Sequence, residues 1–156
     1  MVVIAMLTGC SSITNIVSTS PINQATEIPE LTKTGDNLQV YFIDVGQADC
    51  SLTILPNNKT MLIDAGNNED GQMIVNTIKN MGITKIDYLI GTHPHEDHIG
   101  GLDNVIKNFD IGEIYMPEKS SDSMTFEDVV NAIYSKQLTI TKPIPGTTIY
   151  KDEDTN

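Results

Sequence analysis

The densest chemistry in the sequence lies in His93-Pro94-His95-Glu96-Asp97-His98, which holds all three histidines of the 156-residue chain beside two carboxylates. Imidazole and carboxylate are the ligands a catalytic Zn²⁺ ion takes, with one coordination position left open for water. In an extended segment His93 and His95, two apart, point the same way, whereas the adjacent Asp97 and His98 diverge. Two directions of ligand suggest two ions, and a pair of divalent metals about 4 Å apart can clamp both the attacking and the leaving oxygen of a displacement. Pro94 biases His93 toward extended geometry and stiffens the segment. The competing reading is a polar surface loop whose histidines are solvated or cap the next helix. It suits a single histidine better than three histidines and an aspartate packed into six positions.

Elements on either side must hold this segment in place. Residues 38–43 read as a buried strand running into the turn-prone stretch from Asp44 to Asp49, and strands follow at 50–55 and 60–64. They are joined through Pro56-Asn57-Asn58-Lys59, whose asparagines tolerate positive φ. Met73, Ile74, Ile78 and Met81 fall at helical spacing, with Gly82 placed to end the helix. A strand at 86–90 delivers the chain into Thr92-His93. Ile99, Leu102, Val105, Ile106 and Phe109 then mark an amphipathic helix with Gly100-Gly101 at its start, whose positive end adds a modest bias toward anions. Beyond it lie a strand at 113–116 and a helix introduced by a capping box at Thr125-Phe126-Glu127-Asp128. Residues 138–141, a turn near 143–146 and a strand at 147–150 complete the pattern. Hairpins followed by strand-helix alternation predict an α/β (α+β) architecture, a mixed sheet with helices packed on it.

Composition limits the function. Nine basic against 21 acidic residues give a net charge of −12, and every basic residue is Lys. Proteins that grip a polyanion by its backbone show a basic stripe, and none is seen here. The first 26 residues carry no charge and open with the apolar run Val2 to Leu7. That run is too short to cross a bilayer, which takes roughly 20 apolar residues. Leu7-Thr8-Gly9-Cys10 resembles a bacterial lipobox, so residues 1–10 are read as a lipoprotein-type signal and Cys10 as its lipidation site, with a natural start further upstream to supply the missing positive charge. Residues 11–37, rich in Ser, Thr, Asn and Pro, read as a flexible tether, and 38–156 as the folded domain. Cys50 reads as a small buried side chain, because thiolate zinc sites show a paired spacing absent here.

The full pattern His93, His95, Asp97, His98 resembles the H-x-H-x-D-H motif of the metallo-β-lactamase superfamily. The resemblance implies an αββα sandwich, of which this chain holds roughly the first half. It implies that His93 and His95 bind one metal, and Asp97 and His98 a second. The two divalent ions would be Zn, with Mn as the alternative, and Asp97 would also hold the nucleophile. Flavodiiron relatives carry a carboxylate where this chain has His95, which places it with the hydrolases. A second match, Phe42-Ile43-Asp44-Val45-Gly46-Gln47-Ala48-Asp49 followed by Leu62-Ile63-Asp64-Ala65-Gly66, is similar to the branch containing the extracellular domain of ComEC-type DNA-uptake proteins and bacterial cell-wall phosphorylcholine esterases. Those proteins have Gly where Ala48 stands, a residue with wider conformational freedom. By this resemblance Asp64 and Asp49 orient the metal-binding loop, the plainer alternative being carboxylates that cap a neighbouring turn.

The family's second half supplies a bridging Asp and a further His, and no His follows His98. The sequence is therefore expected to be the first part of a longer protein. The expectation is a membrane-anchored, extracytoplasmic hydrolase of phosphodiester or phosphoester bonds acting through a metal-bound hydroxide. Its substrate would be a small molecule or a polymer such as nucleic acid or cell-wall material. The alternatives are a β-lactam or other ester hydrolase of the same fold, or a fragment that binds metal without turnover.

Overall fold

The computed structural model describes residues 37–119 and 121–151. The signal at 1–10, with Cys10, and all but the last residue of the tether lie outside the described residues. The strands are β1 (Gln39–Phe42), β2 (Ser51–Ile54), β3 (Thr60–Ile63), β4 (Lys85–Ile90), β5 (Asp110–Tyr115) and β6 (Ile140–Thr141). They form one six-stranded sheet in sequence order. β1, β2 and β3 pair antiparallel as hairpin neighbours. From β3 to β6 the pairing is parallel. Each parallel step needs a crossover, and helices supply it: α1 (Gly71–Asn80), the pair α2 (Glu96–Ile99) and α3 (Leu102–Asn108), and α4 (Met124–Ser135). The result is the mixed α/β architecture that the strand and helix pattern predicts.

The core lies on one face of the sheet. Leu52, Leu62, Leu89 and Ile114 stand side by side across four strands in register, and all are fully buried. Against them pack Ile74, Val75 and Ile78 of α1, Leu102, Val105 and Ile106 of α3, and Val129, Ala132 and Ile133 of α4. Met73 is exposed, whereas Met81, at the other end of the same spacing, is buried together with Val75. The opposite face carries Val40, Phe42, Met61 and Ile63, none of them buried. β1, expected as a buried strand, is an edge strand with Phe42 at 75% exposure. It pairs on one side only, and its outward residues meet no helix among the described residues.

Three local expectations change in the structure. The helix expected to start near Ile99 is two short helices, α2 beginning inside the histidine segment at Glu96 and α3 after Gly100-Gly101. A four-residue α2 gives no basis for the anion bias assigned to a long helix there. α4 is capped two residues earlier than the expected capping box, with the Ser123 hydroxyl accepting from the Phe126 amide at 3.2 Å. Thr125 lies within the helix, and its hydroxyl accepts instead from the Asn68 side chain. Residues 147–150 are not a strand. The chain turns at Thr147, whose amide donates to Ile144, and Tyr150 packs edge-on against Tyr88.

At the end of the sheet away from the histidines, Asp87 joins β3 to β4. Its carboxylate meets Lys85 Nζ at 2.8 Å and accepts from the Thr60 amide at 3.0 Å. Burial opposes its ionisation, but the hydrogen bonds from Lys85 and Thr60 and the charges of Lys85 and Lys59 outweigh it, so its pKa is lowered. A lowered folded-state pKa contributes stability that is complete above the unfolded carboxylate value and is lost as pH falls through the folded value. The urea midpoint of the wild-type chain is therefore expected to drop as pH falls below about 4. The drop should be shallower in Asp87→Asn.

Candidate metal centre

Parallel β3 and β4 end on the same edge of the sheet, so the segments that leave the two strands emerge side by side, the usual place for a site in such sheets. Asp64 comes directly after β3, and Thr92-His93 comes after β4. Asp64 is 2% exposed and adopts a left-handed φ of 57°, a conformation Asp tolerates better than most residues because its short polar chain bonds locally. Its amide donates to Ile90 on β4 at 2.9 Å. The carboxylate is satisfied from three directions. Oδ1 accepts from the Thr92 amide at 2.8 Å, and Oδ2 accepts from the Thr92 hydroxyl at 2.6 Å. The same Oδ2 lies 2.9 Å from His98 Nδ1. A buried carboxylate is costly unless bonded in this way, so Asp64 holds the exit of β4 and the α2 turn together.

Backbone bonds continue the attachment. Ala65 donates to the His98 carbonyl at 2.7 Å, Gly100 to Gly66 at 2.9 Å and Gly101 to Ala65 at 3.0 Å. This closeness explains the glycine pair. A Cβ at Gly100 would sit 2.2 Å from the Asn67 carbonyl carbon, and one at Gly101 would sit 2.4 Å from the Ala65 oxygen. Gly100 and Gly101, expected at a helix start, are the close approach of the histidine turn to the segment after Asp64.

Asp49 is tied in through its main chain. Its amide donates to Asp97 at 3.0 Å and its carbonyl accepts from Gly66 at 2.9 Å. Its carboxylate is largely exposed and stands 3.6 Å from His98 Nδ1, beyond hydrogen-bond range. The anchoring by side chain belongs to Asp64, and Asp49 anchors by backbone. Ala48 is not among the residues with positive φ, so Ala at that position carries no conformational cost. Asp44 caps its own turn, accepting from the Gly46 amide at 3.2 Å, and that bond lowers its pKa.

The three histidines gather at this edge. His93 and His98 rings are 3.9 Å apart between centroids, and His93 and His95 rings 4.6 Å apart. His95 is extended, at φ −94° and ψ 149°, and caps α2; its carbonyl accepts from the His98 and Ile99 amides. Asp97 and His98 therefore sit on helical backbone, with Asp97 Oδ2 3.6 Å from His98 Nε2. Among the described residues no three His, Cys, Asp or Glu side chains converge tightly enough to hold a metal ion as they stand. The donor set nonetheless suits one. Three imidazoles and a half-exposed carboxylate share one solvent-facing cluster, and His98 Nδ1 is engaged by Asp64, leaving Nε2 for a ligand.

Cys50 is buried, as the sequence predicts. Burial, with the nearby charges of Asp64 and Asp70, pushes its thiol up to about 12. It packs as a neutral thiol rather than serving as a thiolate ligand. Sequence reasoning misses Thr92, whose only signal is its position directly before His93.

The sequence matches the profile of the metallo-β-lactamase superfamily over residues 43–156, and the chain belongs to that superfamily. Among curated proteins it is similar to metallo-beta-lactamase domain-containing protein 1 of Xenopus laevis, 34% identical over 71 residues, covering 42% of this chain and 30% of that protein. Among solved structures it is similar to a diphosphatase from the PhnP family, 23% identical with a TM-score of 0.41, covering 62% of this chain and 37% of that one. It is also similar to a metallo-β-lactamase from Hirschia baltica, 17% identical with a TM-score of 0.40, covering 72% and 49%. The chain thus spans less than half the length of each of these relatives.

Replacing Asp64 should damage this edge first. Asp64→Ala strands the Thr92 amide and the His98 ring and places Ala at a left-handed φ. It is expected to cost about 1–3 kcal/mol of unfolding free energy in urea titrations. Asp64→Asn, which keeps an acceptor and tolerates the backbone conformation, should cost less.

Proposed function

We propose that the protein is a metal-dependent hydrolase whose ligands are His93, His95, Asp97 and His98, acting on phosphodiester or phosphoester bonds. The observation that carries this reading is the buried Asp64 carboxylate bonded to His98 Nδ1 at 2.9 Å. A ligating histidine is ordinarily oriented through its other ring nitrogen in this way. His93 and His95 would take one divalent ion and Asp97 with His98 a second, zinc or manganese by the chemistry of the donors. Bound there, the ions supply an acidified water and offset the charge that develops on the substrate oxygens.

The residues of the chain do the positioning. Asp64 holds His98 by Nδ1, and the Asp49 amide holds the carbonyl of Asp97. Asp97, half-exposed beside His98 Nε2, would accept a hydrogen bond from an attacking water as well as ligate. The choice of phosphoester over β-lactam or other ester rests on the likeness of the stretches from Phe42 to Asp49 and from Leu62 to Gly66 to the ComEC and phosphorylcholine esterase branch. Because the chain covers only part of its relatives, activity is best assayed on the longest natural product of the gene. Hydrolysis of bis-p-nitrophenyl phosphate is expected, and His95→Ala and Asp97→Ala should each lower it at least about a hundredfold. Cleavage of a β-lactam in its place would favour the ester reading. Zinc uptake with neither activity would leave a metal-binding module.

Extracytoplasmic anchoring through Cys10 belongs to the same proposal and rests on Leu7-Thr8-Gly9-Cys10 alone. Radiolabelled palmitate should enter the wild-type protein expressed in a bacterium. Cys10→Ala should abolish the label.

A further inference from the structure

We infer that Thr92 is a positioning residue that sets the tautomer of His93, so that His93 and His98 both present Nε2 to a ligand under the control of one carboxylate. The inference deepens the proposed metal reading and rests on it only for the affinity measured below. The Thr92 hydroxyl lies 2.6 Å from Asp64 Oδ2 and 3.1 Å from His93 Nδ1. A hydroxyl has one proton to give and lone pairs to receive with. Asp64 already accepts from the Thr92 amide at 2.8 Å and faces His98 Nδ1 at 2.9 Å, so it is the acceptor at every contact. The Thr92 proton therefore goes to Asp64, and the Thr92 oxygen is left to accept from His93.

That bond requires the proton of neutral His93 to sit on Nδ1, with the lone pair on Nε2. His98 reaches the same state directly. Its Nδ1 is closer to Asp64 at 2.9 Å than to the Thr92 hydroxyl at 3.4 Å, so it donates to the carboxylate. One histidine assigned to each of the two proposed ions is thus set by Asp64, His98 by contact and His93 through the Thr92 hydroxyl. A ring with its tautomer already fixed loses less freedom and needs no proton rearrangement on binding, which raises affinity. Thr92 itself is not buried, so its hydroxyl can be removed without disturbing the core.

The test compares wild type, Thr92→Val and Thr92→Ser in metal-free, ¹⁵N-histidine-labelled chain at about pH 8, where an ordinary imidazole is neutral. Long-range proton–nitrogen correlation spectra read the tautomers directly. Wild type and Thr92→Ser are expected to show protonated Nδ1 at both His93 and His98. In Thr92→Val, His93 should shift toward protonated Nε2 while His98 stays unchanged, a split that general loosening of the fold would not produce. Zinc titration should then show about a tenfold loss of affinity in Thr92→Val, restored in Thr92→Ser. An unchanged His93 tautomer in Thr92→Val, or no restoration by Ser, overturns the role given to Thr92. Wild-type chain that takes up no zinc counts against the metal reading, and the spectra then decide the tautomer assignment by themselves.

Discussion

A carboxylate buried at the end of β3 organises everything at this edge of the molecule. Asp64 cannot stay there unless its oxygens are bonded, and its partners are Thr92 on the exit from β4 and His98 on α2. Satisfying one buried group therefore fixes the relation of two parallel strands and the turn beyond them. The left-handed φ of Asp64 belongs to the same arrangement. A strand continued in the ordinary way would send the next side chain to the opposite face, whereas the reversal at Asp64 directs Ala65 and Gly66 toward the backbone of the histidine turn. Strain of this kind persists only where surrounding bonds over-determine it, and here three contacts to the carboxylate and a run of backbone bonds do so.

The glycine pair shows the same constraint from the other side. Main chain can bond to main chain across the Ala65–Gly66 and Gly100–Gly101 contact only if no Cβ intervenes, and the space at both later glycines is smaller than a methyl group requires. The helix after the histidines has its hydrogen bonding interrupted there, because the Gly101 amide donates to Ala65 across the contact. Its amphipathic pattern carries on across the break, because Ile99 and Leu102 both face the core. The histidine turn is consequently set at its start by Thr92, in its middle by His98 on Asp64, and at its end by Gly100 and Gly101.

Much of this is legible in the sequence, for identifiable reasons. The strands, the helices between them and the mixed sheet they build follow from periodicity, since Leu52, Leu62, Leu89 and Ile114 each stand in a run whose length and flanking turns mark a strand. The histidine cluster is visible because three rare residues fall within six positions. The features that sequence leaves hidden depend on contacts distant along the chain. Periodicity sees the helical pattern around Ile99 but not the backbone of Asn67 pressed against Gly100. Thr125 looks like a cap until Asn68, 57 residues away, claims its hydroxyl, which leaves Ser123 to cap α4. Leu38 to Ile43 is apolar enough for an interior strand, and only the sheet order shows that β1 has a single neighbour. Asp64 and Asp49 look alike in sequence, both carboxylates beside turns. The difference between them, 3% against 72% side-chain exposure, comes from the tertiary fold.

Charge adds a last constraint on the site. The net charge is −12, and several of the lysines are occupied elsewhere. Lys85 pairs with Asp87 and Lys107 with Asp103, Lys142 pairs with Glu118, and Lys79 and Lys136 bond Asn108 and the Phe109 carbonyl. In none of these contacts does the ammonium meet the histidine turn, where Asp49, Asp64 and Asp97 all lie near His98. Three carboxylates around these imidazoles make a field that disfavours anions and favours cations. An anionic substrate could approach such a turn only after that field had been reversed. Divalent ions held by these ligands would reverse it, because a bound ion is the largest local charge in a site and inverts its electrostatics. If the turn is a metal centre, the acidity that argues against direct binding of a phosphate is the same property that would concentrate the metal needed to bind one.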